Sequence, residues 1–233
     1  MRALFGPVPL PARTRSTALL VIPLVALACC LFAAVGWIQS GQPGRQFGEG
    51  RIGTLLSVGV LAASGLVALK VSFLPAARSM RKFWCVFASL LLFAAADDMF
   101  KLHEQLDVVI NRALGTDPDD PVFDRIDDVI VLAYAALGCG TLGLMYMRRL
   151  LALIWMVRFF IAGGLCFLAM VAGDMLRIGT AIEESLKLLA GAWIFSGVAA
   201  AEHQLAEAPD RLWWTAMAPP GLEPGCPLPD RGF

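Results

Sequence analysis

Residues 17–38 read TALLVIPLVALACCLFAAVGWI, twenty-two consecutive positions without a charge. A helix needs about 20 mostly apolar residues to cross a hydrocarbon layer of roughly 30 Å, so this run alone predicts a membrane span. Arg13 and Arg15 just ahead of it match the start of a secretory signal peptide. The run exceeds the roughly 7–15 residues of a signal's apolar region, and further such runs follow it, so an uncleaved first helix is expected. The whole chain has the same character. Of 233 residues, 58% are hydrophobic and 16% charged, against about 45–50% and about 25% in soluble domains. Those proportions exclude a disordered chain, a collagen-like repeat and a disulfide-rich miniprotein. Nineteen basic residues balance nineteen acidic ones, so no net field draws the chain to nucleic acid.

Further apolar runs extend from Ile52 to Leu74, from Phe83 to Ala96 (shorter, meeting two acids before it is long enough to exit), from Val129 to Met147, from Leu153 to Ala172 and from Thr180 to Ala201. The second carries Lys70 near its end, the third runs into Asp97 and Asp98, and the fifth contains Arg158. The expected fold class is all-α, a polytopic transmembrane helix bundle of about six spans. Residues 1–16 then form an N-terminal segment, 17–203 the transmembrane domain and 204–233 a tail. Pro219, Pro220, Pro224, Pro227 and Pro229 crowd that tail, which cannot continue a helix and has little to bury. Cys29, Cys30, Cys85, Cys139 and Cys166 fall within spans, where they serve as small packing residues, and Cys226 stands in the tail. No internal repeat marks an inverted-repeat transporter.

Basic residues near span ends tend to stay in the cytoplasm. With the N-terminus inside, Arg2, Arg13, Arg15, Arg78, Arg81, Lys82, Arg148, Arg149, Arg211 and Arg231 all fall on the inner side. Arg45, Arg51, Arg112, Arg125 and Arg177 fall outside, with Lys101 and Lys187 near the outer span ends. This asymmetry predicts a cytoplasmic-membrane protein with both termini inside. It also gathers acid on the outer side. Ten of the nineteen acidic residues lie between Asp97 and Asp128, and Asp174, Glu183 and Glu184 arrive there from other spans.

Most of these acids have an ordinary reading. Asp127 and Asp128 open the fourth span, where a negative charge complements a helix N-terminus, and Asp124 is placed to cap it. Glu183 and Glu184 open the sixth span in the same manner. Asp174 and Arg177 suit an interfacial ion pair, the run DPDD from Asp117 to Asp120 a solvated loop, and Glu202 with His203 an interfacial helix end. Asp97 and Asp98 are different. Counted from Phe83, Asp97 lies about 21 Å along the helix, short of crossing. A charge at that depth costs about 2.5–3.5 kcal/mol unless it is paired, hydrated or functional.

In the stretch FAAADDMFKLHEQL, read as one helix, Asp97, Lys101 and Glu104 share a face, with His103 about 100° from Glu104. In AIEESLKLLAGAW, Glu183 and Lys187 stand at i and i+4. Asp97, Asp98, His103, Glu104, Glu183 and Glu184 are therefore the candidate residues for binding a cation or relaying protons. Carboxylates and an imidazole on facing helices are also the ligand set of carboxylate-bridged metal centres, although the Glu-x-x-His spacing is absent. The two histidines fall on opposite sides of the membrane, which excludes a three-histidine zinc site.

Asp97-Asp98, Leu102-His103-Glu104 and the later Ile182-Glu183-Glu184-Ser185-Leu186-Lys187 with Gly191 form a pattern. It resembles an uncharacterised family of bacterial multi-pass membrane proteins with an Asp-Asp/Glu…His-Glu helix and a Glu-Glu-x-Leu helix. The likeness covers about Phe83 to Ala201, and Lys187 stands where the pattern more often has an acid. It implies a polytopic inner-membrane protein and supplies no activity.

Three functions remain open at this point. The acidic and histidine cluster binds a cation or relays protons; or it serves a metal-dependent, hydrolase-like membrane enzyme with a divalent metal as cofactor; or its charges pair helices in a structural subunit. The lipid bilayer is the expected partner, and nucleic acid is not.

Overall fold

The computed structural model describes residues 12–42, 52–115, 126–176 and 179–207. Asp117–Asp120, Asp124, Arg177 and the proline-rich tail lie outside the described residues, as do the side chains of Asp127, Asp128, Asp174 and Cys139. The described chain is all-helical. Its helices are α1 (Ala12–Ser40), α2 (Ile52–Ser72), α3 (Arg81–Phe100), α4 (Leu102–Leu114), α5 (Ile126–Leu150), α6 (Ile154–Met175) and α7 (Thr180–Glu207). A 3₁₀ turn over Pro75–Met80 joins α2 to α3. It starts where it does because Leu74 is extended and Pro75, with no N–H to lose, occupies its first turn.

Five helical stretches are long and apolar enough to cross a membrane: Leu20–Ser40, Ile52–Ser72, Pro75–Phe100, Val129–Leu150 and Ile154–Gly173. One sequence expectation needs correction. There are seven α-helices among the described residues, not six, because the third run breaks at Lys101 and releases α4 as a separate element. The run from Thr180 is not among those five stretches. It carries Glu183, Glu184 and Lys187 at one end and Glu202 and His203 at the other.

The position of α7 explains its composition. It packs on α6, α2 and α1, and residues 196–201 along it are buried without interruption. A helix enclosed by its neighbours needs small residues for close approach more than it needs an apolar exterior. α2 and α3 form the other tightly packed pair. The principal core joins Val71, Phe83, Trp84 and Phe87 of α2 and α3 to Leu153 just before α6, to Met156 of α6 and to Val198 and Leu205 of α7. Phe83 and Phe87 stack with ring centroids 5.7 Å apart.

Large apolar side chains also point outward, inverting the usual soluble pattern. Leu20, Leu24, Leu27 and Leu31 form an exposed stripe on α1, as Ile161, Leu165 and Leu168 do on α6.

Gly197 marks a close helix approach. A Cβ there would lie 2.6 Å from the Phe160 ring and 3.3 Å from the Met156 carbonyl. Overpacking of this kind costs about 1–3 kcal/mol. We therefore expect Gly197→Ala to lower the thermal unfolding temperature in detergent. Gly140→Ala, where a Cβ meets nothing within 4 Å, should leave it unchanged.

Candidate functional site

The polar site is built at the broken end of α3. Lys101 adopts the left-handed conformation (φ 54°), closing α3 and starting α4. A lysine in that region costs on the order of 1 kcal/mol, so its surroundings must hold it there. The first N–H groups of the new helix need acceptors, and the Lys101 side chain does not cap them. Asp97, one turn back, takes the role. Its Oδ1 accepts the His103 backbone N–H at 2.9 Å. Two further contacts secure the corner: Gln105 Nε2 donates to the Phe100 carbonyl at 2.8 Å, and Lys101 Nζ lies 3.3 Å from Glu104 Oε2.

The second oxygen of Asp97 has a different set of neighbours. The Tyr134 hydroxyl, from α5, donates to Oδ2 at 2.6 Å, and His103 Nδ1 lies 3.0 Å from the same oxygen. An ionised carboxylate has only lone pairs to offer, so the tautomer that satisfies this contact carries its proton on Nδ1. Asp97 is 3% exposed, while the His103 side chain keeps 21% exposure. The network therefore runs from a partly open imidazole through a buried carboxylate to a phenol on another helix.

Asp98 serves a second network. Adjacent residues on a helix diverge by about 100°, so Asp97 and Asp98 cannot face the same neighbour. Asp98 Oδ1 accepts from Lys187 Nζ of α7, and the same ammonium lies 3.7 Å from Glu184 Oε1. Glu183 stands within electrostatic reach of that lysine. The other oxygen of Asp98 is buried without a hydrogen-bond partner among the described residues.

The structure thus divides the six sequence candidates. Asp97 joins His103, and Asp98 joins Glu184 through Lys187. Glu104 meets Lys101 at the corner, outside both networks. The shared face expected for Asp97, Lys101 and Glu104 does not exist, because the helix that would carry it ends at Lys101. His103 takes the place beside Asp97 instead.

Tyr134 is not among the sequence candidates. A signal was present: it is one of only two tyrosines, set in an apolar run where its hydroxyl requires a partner. Glu202 and His203 lie at the far end of α7, where Glu202 pairs with Lys70 at 2.6 Å. Cys29, Cys30, Cys85 and Cys166 are free thiols.

Among the described residues, no three His, Cys, Asp or Glu side chains converge as metal ligands would. Asp97 is surrounded by N–H and O–H donors, and the cation facing Asp98 and Glu184 is the protein's own ammonium. Chemically, the arrangement can hold and pass protons, and it can fasten helices to one another.

No curated protein and no solved structure matches the chain. A family match does cover residues 47–201, starting between α1 and α2 and ending within α7, so it contains both networks. On that match the chain belongs to the family described as "Domain of unknown function (DUF8692)".

Proposed function

We propose that this is a six-span protein of the bacterial cytoplasmic membrane, both termini inside, that binds and relays protons at its outer end through Asp97, His103 and Tyr134. One observation carries the reading: a single buried oxygen, Asp97 Oδ2, lies within hydrogen-bond distance of both a phenol and an imidazole. Ionisable groups inside membrane helices are costly and commonly mark proton or ion pathways. Donors on both Asp97 oxygens, and an ammonium on Asp98, favour protons over a metal ion as the bound species.

The sixth span is α7. Its 28 residues extend about 42 Å at 1.5 Å per residue, enough to cross. Its ionic contacts, at Lys187 and Glu202, are separated by an uncharged stretch of about 22 Å. The inner and outer assignment rests on the distribution of arginine and lysine.

The test is proton flux in proteoliposomes carrying an imposed pH gradient and a trapped pH dye. Wild-type protein should dissipate the gradient, and Asp97→Asn should reduce the rate to the leak of protein-free vesicles. Equal fluxes through the two proteins would contradict the reading.

A second reading has its own support. Lys187 joins α3 to α7 through Asp98, and such a contact fastens a bundle whether or not protons move.

A further inference from the structure

We propose that α4 is an interfacial helix, seated with one side on the acyl chains of the leaflet next to the Asp97 site. This rests on the membrane placement proposed above.

The helix is the most amphipathic of the described helices, yet its polar and apolar sides are reversed relative to a soluble protein. His103, Asp107 and Asn111, at i, i+4 and i+8, share the less exposed side of a helix that contacts α5. Asn111 is fully buried and donates to Asp107 Oδ1 at 2.9 Å. Leu102, Leu106, Val109 and Ala113 form the stripe at i, i+4, i+7 and i+11, and all four are exposed. Beside that stripe, Gln105, Val108 and Arg112 are exposed as well, as is Leu114 in the last turn.

A helix in water turns its apolar stripe inward, whereas one lying in a membrane interface turns it into the lipid. Three sides of α4 match three surroundings: polar groups toward the bundle, leucine and valine toward hydrocarbon, and Gln105 with Arg112 toward headgroups and water. The arginine has the reach to place its charge at headgroup level.

The choice of lipid as occupant rests on continuity. Phe93 and Phe100 are exposed on one side of α3, and Leu102, two residues after Phe100 across the Lys101 break, is exposed as well. α3 is among the helices apolar enough to cross, so the stripe on α4 extends a surface already assigned to lipid. The seating also has a consequence for the site. His103 opens α4, so the proposed proton entry lies where hydrocarbon meets water, and lipid contacts along the stripe help to hold it there.

The test uses the full chain in phosphatidylcholine nanodiscs, with one encoded fluorescent amino acid placed at Leu106, Val109, Gln105, Leu144 or Leu165. These positions are all exposed, so the probe displaces no core contact, and the one side-chain hydrogen bond given up is that from Gln105 to the Phe100 carbonyl. Quenching is read with acyl-brominated phosphatidylcholine and separately with aqueous iodide. Probes at Leu106 and Val109 should be quenched by brominated lipid about threefold more than the probe at Gln105, with the order reversed for iodide.

Equal iodide quenching at Leu106, Val109 and Gln105 would overturn the proposal and place α4 in water. Protection of Leu106 and Val109 from both quenchers would also overturn it, pointing to a second copy of the chain as the cover. Leu144 on α5 and Leu165 on α6 separate this failure from a broader one. If they respond to brominated lipid while Leu106 and Val109 do not, only the seating of α4 is wrong. If they too fail to respond, the membrane placement itself is wrong.

Discussion

Lys187→Ala should lower the unfolding free energy by about 3–5 kcal/mol, the range for deleting one partner of a buried ion pair. The loss arises from what remains. The Asp98 and Glu184 side chains are only 11% and 13% exposed, and without the ammonium two carboxylates face each other in a poorly hydrated space. Adding Asp98→Asn to the alanine variant should recover part of the loss, because it removes one of those charges. A double-mutant cycle, followed by thermal or denaturant unfolding in a single detergent, measures the coupling. Lys70 provides the contrast. It also pairs with a glutamate, but its side chain is 68% exposed, so Lys70→Ala should cost no more than about 1 kcal/mol. Similar losses for the two lysines would mean that Asp98 and Glu184 are not held as described.

Asp97→Ala should be the other large effect, with a cost of about 3 kcal/mol for stranding the three donors that met its carboxyl oxygens. Part of this loss should be local. The carboxylate accepts the His103 N–H and so ties the start of α4 to the last turn of α3. Without it, amide exchange over residues 103–107 should accelerate, while exchange in α7 remains slow. Asp97→Asn should behave differently. Its amide oxygen can still accept the backbone N–H, but its –NH₂ cannot accept from Tyr134 or His103. Slow exchange with lost proton flux is therefore the expected signature of Asp97→Asn, and fast exchange that of Asp97→Ala. If the two variants exchange alike, Asp97 does not hold the corner.

The helical class was legible because uncharged runs such as 17–38 have one physical solution in a bilayer: a backbone that satisfies its own hydrogen bonds. Two features were hidden. The break at Lys101 carries no glycine or proline, and the left-handed residue there is stabilised by contacts that arise only on folding, chiefly the bond from His103 to Asp97. Gly115, which ends α4 at φ 66°, is the kind of stop that can be read in advance.

The enclosure of α7 was also invisible, because mean apolarity reports composition and not which neighbours surround a helix. Within the site, Asp97 and Asp98 drew attention by their depth along an apolar run. Tyr134 did not, since its partner is 37 positions away and no local pattern links a lone hydroxyl to a distant acid. Adjacent acids at positions 97 and 98 looked like one cluster. The helical angle between them instead directs each to a different helix.

The most direct test is infrared difference spectroscopy of the purified protein across a pH titration, following the carboxyl C=O band. A protonatable carboxyl hydrogen-bonded to a phenol and an imidazole should give a pH-dependent band in the wild type. That band should vanish in Asp97→Asn and shift in Tyr134→Phe. Spectra of Asp97→Asn that superimpose on those of the wild type throughout the titration would show that Asp97 exchanges no proton, and would contradict the function proposed for it.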